Sequence, residues 1–341
     1  MDPPRTEAEL DERLSRPTEA DIAALADLDG DVLLLGAGGK MGPSLARLAR
    51  RATEDMTPRR RIVAASRFTT PGLQEALEAD GIETVPCDLL DPSALERLPD
   101  APNVVFMAGQ KFGTVADPAV TWTLNAVLPG LVARRFAGSR LIVFSTGNVY
   151  PLTATDTRGS TETDPVRPIG EYAQSAVARE RIVTFFSTRL GIPAAILRLN
   201  YAVEVRYGVL RDLADRVWRR DPIDLTMGYV NVIWQRDANA VALRSLSLGS
   251  VPPTVLNVTG PEKLAVRVLA NRLGQHLGAV PTFVGEEAPT ALLSDASQCQ
   301  RLFGPPSMEL DTLLYWVADW VKRGGATLGK PTRFEEREGR F

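Results

Sequence analysis

A chain of 341 residues, 44% hydrophobic and 24% charged, has room for one large or two unequal globular cores and lacks the composition of a disordered protein. Its formal net charge of -3 offers no basic face to a nucleic-acid backbone, and no apolar run approaches the roughly 20 residues needed to cross a bilayer. Two distant cysteines, Cys87 and Cys299, and a single histidine, His276, leave no material for a disulfide framework, a Cys- or His-rich metal site or His-dependent hydrolysis.

Residues 1–29 read as a polar arm with one short helix, Thr18 and Asp21 forming a loose N-cap pattern before IAALADL. The acidic start has no basic segment followed by an apolar core, so export is not expected and a cytoplasmic location is. From residue 31 short apolar runs alternate with amphipathic ones. DVLLL (31–35), RIVAA (61–65), IETVP (82–86), NVVFM (103–107), LIVFS (141–145) and PAAILRL (193–199) read as strands. Helical patterns lie between them, the longest being IGEYAQSAVARERIVTFFSTRLG, which ends at Gly191. Strands without polar alternation, separated by helices, predict a parallel sheet covered on both faces, and right-handed crossovers make it doubly wound. The fold class is therefore α/β, with a dinucleotide-binding domain over residues 30–200. Residues 201–328 are assigned mainly to a smaller substrate lobe, with segments near 230–260, including the strand TVLNVT, returning to the sheet. His276 falls in a helical pattern and is read as a surface or packing residue, and residues 329–341 as a mobile tail.

The strongest local signal is Gly36-Ala37-Gly38-Gly39-Lys40-Met41-Gly42, which follows a strand and opens a helix. Gly36 permits a tight turn, Gly39 lets a phosphate approach the backbone, and Gly42 lets helix and strand pack closely. The loop's N–H groups and the helix dipole then face a diphosphate. It is not a phosphate loop of the GxxxxGK type, which needs glycine where Leu34 stands. The second strand ends at Ser66-Arg67, where an acid would grip a ribose 2′-hydroxyl; a hydroxyl and a guanidinium suit a 2′-phosphate better, which favours NADP over NAD. Asp88 and the Leu89 amide, after the third strand, are placed to read adenine, or Asp88 simply starts the next turn.

These residues resemble the extended short-chain dehydrogenase/reductase family of NAD(P)-dependent sugar epimerases and dehydratases. The likeness spans roughly residues 31–300 and rests on the order of GAGGKMG, CDLLD, NVVFMAG, the asparagine of TWTLNAV, LIVFSTGNVYP, TETDPVRPIGEYAQS, LRLNYA, LNVTGPEKLAV and LLSDASQCQRLFG. The resemblance implies hydride transfer at a nicotinamide, with a tyrosine as general acid/base and a hydroxyl beside it. Carried over, the tyrosine is Tyr172, the hydroxyl Thr146 and the helix asparagine Asn125. Ala108 and Gly109 line the cofactor, and Ser145, Asn148, Asn200 and Trp234 stand on the substrate side.

Two departures matter. The family lysine four residues after the tyrosine is replaced by Ala176, so the cation that lowers the tyrosine pKa is missing from that position. Lys111, just after the fourth strand, is the first candidate to supply it, and Arg179, two turns along the tyrosine helix, the second. The segment Met227–Asp237 keeps Arg236 and Asp237 but not the glycine-rich strand pattern common in relatives that act on nucleotide-diphosphate sugars. Tyr201, Arg206 and Trp234 are candidates for lining the pocket instead. Two functions therefore fit: an NADP-dependent oxidoreductase, epimerase or dehydratase acting on a sugar-like small molecule, or a nucleotide-holding scaffold or redox sensor without turnover. A homodimer through residues 118–137 and 169–190 is a further expectation, and no nucleic-acid or membrane partner is expected.

Overall fold

The computed structural model describes residues 2–341. Its centre is one parallel sheet of seven strands: β1 (Val32–Leu35), β2 (Ile62–Ser66), β3 (Glu83–Pro86), β4 (Asn103–Phe106), β5 (Arg140–Thr146), β6 (Ala194–Leu199) and β7 (Thr254–Val258). The spatial order is β7-β6-β5-β4-β1-β2-β3. Val32 and Leu34 of β1 pack into one core with Leu45, Leu48 and Ile62's side of β2, while Leu33 and Leu35 pack into another with Val104, Phe106 and Val132. Both faces are covered, which is why these strands are continuous apolar runs rather than alternating ones. The strand order reverses between β1 and β4, so the connections leaving their carboxyl ends part and open a crevice there.

A third core belongs to the second lobe. Helices Val209–Arg219, Val266–Leu277 and Leu310–Lys322 bury Leu213, Leu273, Trp316 and Val317 against one another. Leu10 and Leu14 from one end of the chain and Phe334 from the other complete the same core, all three with no exposed surface.

The arm differs from the expectation of one short helix: it holds two, Glu7–Ser15 and Glu19–Ala26. Thr18 and Asp21 form a full capping box, and the buried Asp21 carboxylate also takes the Arg236 guanidinium. The mobile tail is also corrected. Phe334 and Phe341 are buried; Thr332 donates to Asp212 from its amide (2.8 Å) and its hydroxyl (2.6 Å). Arg337 donates to the carbonyl of Thr226 (2.9 Å) and to the carbonyl and hydroxyl of Thr290 (2.7 and 2.6 Å). Two aromatic side chains and these paired polar groups make residues 330–341 a strap laid across the molecule.

Candidate active site

The first component of the site is backbone. Gly36 has φ of 90°, and a Cβ there would stand 2.6 Å from the Ala108 amide nitrogen on β4's connection. A Cβ on Gly42 would overlap the carbonyl of Ala37, so the helix Gly42–Ala52 packs tightly on the end of β1 only because that atom is absent. The Gly36 amide is held by the carbonyl of Ala65 (2.9 Å) and the Gly39 amide by that of Gly36 (3.2 Å). Among the described residues, the amides of Gly38, Lys40 and Met41 donate to no protein acceptor. Unsatisfied amides at the mouth of an 11-residue helix fit a diphosphate, and with it the dinucleotide the loop's spacing implies. Pro43 opens that helix, and the Ser44 hydroxyl is fixed by Gln235 (3.0 Å) and Asn239 (2.9 Å).

Above this loop is a cavity of about 620 Å³. Its wall includes Gly36, Gly39, Lys40 and Met41 from the loop, Gly109 and Lys111 after β4, Ser145 and Thr146 at the end of β5 and Asn148 just beyond it, Asn200 after β6, and Tyr172 and Arg179 from the helix Gly170–Leu190. The Thr146 hydroxyl oxygen accepts from the Asn148 amide (3.2 Å) and its carboxamide (3.1 Å), which leaves the hydroxyl hydrogen to be donated outward. Burial raises the pKa of Tyr172, while hydrogen bonding from Thr146 and the charge of Arg179 pull it back down.

Arg179 is the buried cation closest in effect to that phenol. Its guanidinium donates to the carbonyl of Phe144 (2.6 Å), the carbonyl of Asn125 (3.2 Å) and the side-chain oxygen of Asn125 (2.7 Å). Gly109 makes room for it: a Cβ there would lie 2.5 Å from the Arg179 Nη2. Asn125 itself sits in a π-helical turn, Thr123–Val127, which inserts its carboxamide between the Gln110 amide, which it accepts (2.9 Å), and the Gln110 carbonyl, to which it donates (2.8 Å). Ala176, where the family lysine stands, packs with Val149, Tyr150 and Val177 and does not line the cavity. Sequence spacing alone ranks Arg179 last because it lies two turns from Tyr172; the length of its side chain closes that gap.

The opposite wall is built from aromatic rings and lysines. The Lys40 ammonium lies 3.5 Å from the Tyr207 ring centre and 5.0 Å from that of Phe112. The Lys111 ammonium lies 4.2 Å from the ring centre of Phe341 and 5.9 Å from that of Tyr172. Phe341 stacks edge-on against Tyr172, with ring centres 5.6 Å apart.

Other candidates fall outside the cavity wall. Trp234 is buried against Trp316 in the second-lobe core, ring centres 6.0 Å apart, so its substrate-side placement is corrected. Arg206 is taken by Glu204, Glu7 and Asp11, Arg236 by Asp21, and Asp237 accepts from the amide and hydroxyl of Ser307. Ser145 reaches the wall but donates to Glu180 (2.5 Å), which Arg198 pairs with from the other side (2.7 Å). Ala108 backs Gly36, and Ser66 lies under Gly38, whose Cβ would come 2.5 Å from its hydroxyl. Arg67 is exposed at the end of β2; Asp88 accepts from the Leu90 amide (3.0 Å) in a turn that buries Leu89. Tyr201 does line the cavity, held at a φ of 48°. His276 is exposed, its ring 5.8 Å from that of Tyr315. Among the described residues no cluster of His, Cys, Asp or Glu suited to a metal occurs, and no helix is long and apolar enough to cross a membrane.

A doubly wound sheet with open loop amides at its switch point defines a dinucleotide-binding protein of the Rossmann class. The chain belongs to the NAD dependent epimerase/dehydratase family, whose model matches residues 32–203, half of its length, and it is accordingly an NAD-dependent, epimerase-like enzyme. Its fold is that of solved sugar epimerases. An epimerase from Methanothermobacter thermautotrophicus superposes with a TM-score of 0.73 at 16% identity, over 91% of this chain and 99% of the other. The UDP-glucuronic acid 4-epimerase of Bacillus cereus, in complex with NAD, gives 0.71 at 19% identity, over 86% and 97%. The UDP-glucose 4-epimerase of Thermotoga maritima, with UDP-glucose, gives 0.70 at 16%, over 86% and 99%. No curated protein sequence matches the chain.

Proposed function

We propose that this enzyme acts on a hydroxyl or carbonyl carbon of a sugar-like small molecule, with Tyr172 giving and taking the hydroxyl proton. One observation carries the reading: Tyr172 and the outward-donating Thr146 hydroxyl share a cavity whose floor is the open glycine loop. Bound NAD(P) supplies the hydride donor or acceptor there. The loop amides of Gly38, Lys40 and Met41 would hold its diphosphate. Arg67 and Ser66, at the end of β2, support a preference for the 2′-phosphate of NADP.

The proton chemistry belongs to this chain's own groups. Thr146 donates to the Tyr172 oxygen and stabilises its anion. Arg179, held by three hydrogen bonds, provides the fixed positive charge that Ala176 cannot. Asn148 and Asn200 offer carboxamides to substrate hydroxyls. A homodimer through helices 118–135 and 170–190 is part of the same reading, supported by exposed Val127 and Phe185, and light scattering tests it.

The scaffold reading draws on a different observation, the burial that raises the Tyr172 pKa. Fluorescence titration with NADPH and NADH, followed by a screen of carbonyl sugars, separates the two. Turnover that collapses in Tyr172→Phe supports the enzyme with Tyr172 as its acid/base. Cofactor binding with no turnover of any carbonyl would leave the scaffold.

A further inference from the structure

Five lysines occur in the whole chain, and three of them, Lys40, Lys111 and Lys330, line this one cavity. They arrive from three distant places: the glycine loop, the connection after β4 and the strap. Their surroundings are short of acceptors. Lys40 has aromatic faces as neighbours and no hydrogen-bond or ion-pair partner among the described residues. Lys111 has one long hydrogen bond, to the carbonyl of Thr332 (3.4 Å), and the rings of Phe341, Phe112, Tyr172 and Tyr201. Asp212, the acid whose charge acts on both Lys40 and Lys111, has Oδ2 engaged by both donors of Thr332. Lys40 and Lys111, set against aromatic rings with no carboxylate paired to either ammonium, have their desolvation only partly offset, by the charge of Asp212, while Lys330 stands exposed at the rim.

Resting on the function proposed above, we infer that this cup binds an oxyanion carried by the substrate, with Lys40, Lys111 and Lys330 as its partners and the neighbouring rings as its walls. The electrostatics agree with the geometry. Burial first, then the charges of Lys111 and Lys330, lower Lys40 to about 7, with Asp212 opposing. Burial lowers Lys111 to about 8, Asp212 opposing and Arg333 assisting. A bound oxyanion would offset each of these penalties and draw protons onto both amines. The phosphate of the cofactor is assigned to the loop's amides, and Lys40 belongs to that loop, whereas Lys111 and Lys330 come from the connection after β4 and from the strap, so these two are the members of the trio that distinguish substrate from cofactor.

The test is calorimetric titration of the NADPH-loaded protein with D-glucuronate, D-glucose 6-phosphate and D-glucose. The expected result is an affinity for at least one anionic sugar that exceeds glucose by tenfold or more, with the carboxylate and phosphate arms showing which oxyanion the cup takes. Lys111→Met and Lys330→Met are expected to remove most of that preference while changing the NADPH dissociation constant less than threefold. Equal binding of the three sugars, binding of none, or a preference that survives in the combined Lys40→Met, Lys111→Met, Lys330→Met variant overturns the inference. The NADPH titration reads the functional proposal separately, since a protein that binds no dinucleotide fails that proposal whatever its preference among sugars.

Discussion

The two ends of the cavity are made by opposite means. At the glycine end, the proposed function comes from what is left out: Gly36, Gly38 and Gly42 lack side chains, and bare amides are left to hold a diphosphate. At the lysine end it comes from long side chains, Lys40, Lys111, Tyr172, Tyr207 and Phe341, drawn from five separate segments. The first end is local in sequence and rigid, because a turn and a helix start fix it. The second is assembled only when the strap, the second lobe and the sheet have met. A cofactor site common to many enzymes and a substrate site particular to one can therefore sit in the same cavity and change independently.

The sharpest way to break this comparison is at the junction of the two ends. Tyr172→Phe is expected to lower turnover by about 10²–10⁴-fold, the range for a lost general acid/base, with NADPH affinity unchanged by fluorescence titration. A loss of cofactor binding instead would make Tyr172 a structural residue. Next in size, Gly36→Ala forces a side chain into positive φ and against Ala108, and is expected to weaken NADPH binding by at least about tenfold, from a strain of roughly 1–3 kcal/mol. Unchanged binding would show that the loop does not hold the dinucleotide.

Smaller is the effect of Arg67→Ala, which removes a charge-assisted contact at an exposed position, worth about 1.5 kcal/mol at the low end of its range. NADPH affinity should fall roughly tenfold with that of NADH unmoved; parallel losses would defeat the preference for the 2′-phosphate. The smallest concerns the lysine end. Lys40 titrates near 7 in the folded protein and at its ordinary, higher value when unfolded. Below about 7 both states carry the proton and the burial penalty is fully present. As pH rises above 7 the folded state sheds it first, so stability increases between about pH 7 and 10. The cofactor-free protein should melt a few degrees higher at pH 9 than at pH 7, about 2–4 °C for each kcal/mol, and Lys40→Met should flatten that rise.

The same division explains what could be read from residues alone. All seven sheet strands, the glycine turn and the tyrosine helix were legible because each announces itself within a short window, as an apolar run, a glycine spacing or a helical period. The strap was not. Its polar composition reads as solvated, and nothing adjacent to Phe341 says that Tyr172 waits for its ring. Arg179 was undervalued because spacing measures where a Cα stands, and a guanidinium reaches far beyond that. Trp234 was overvalued for the converse reason: a large aromatic near a site motif is as easily claimed by a core, here by Trp316. The first arm helix, Glu7–Ser15, went unread because its buried face is two leucines, Leu10 and Leu14, whose partners lie in the far half of the chain.

That last pairing sets the order in which the molecule can be finished. Leu10, Leu14 and Phe334 share one buried cluster, so a ribosome releases the first two long before the third exists. Until then the second lobe cannot seal, while the sheet strands, whose neighbours emerge in steady succession, can already pair. The nascent protein thus carries an open apolar seam through most of its synthesis, and that seam, rather than the sheet, is where misassembly at high expression would begin.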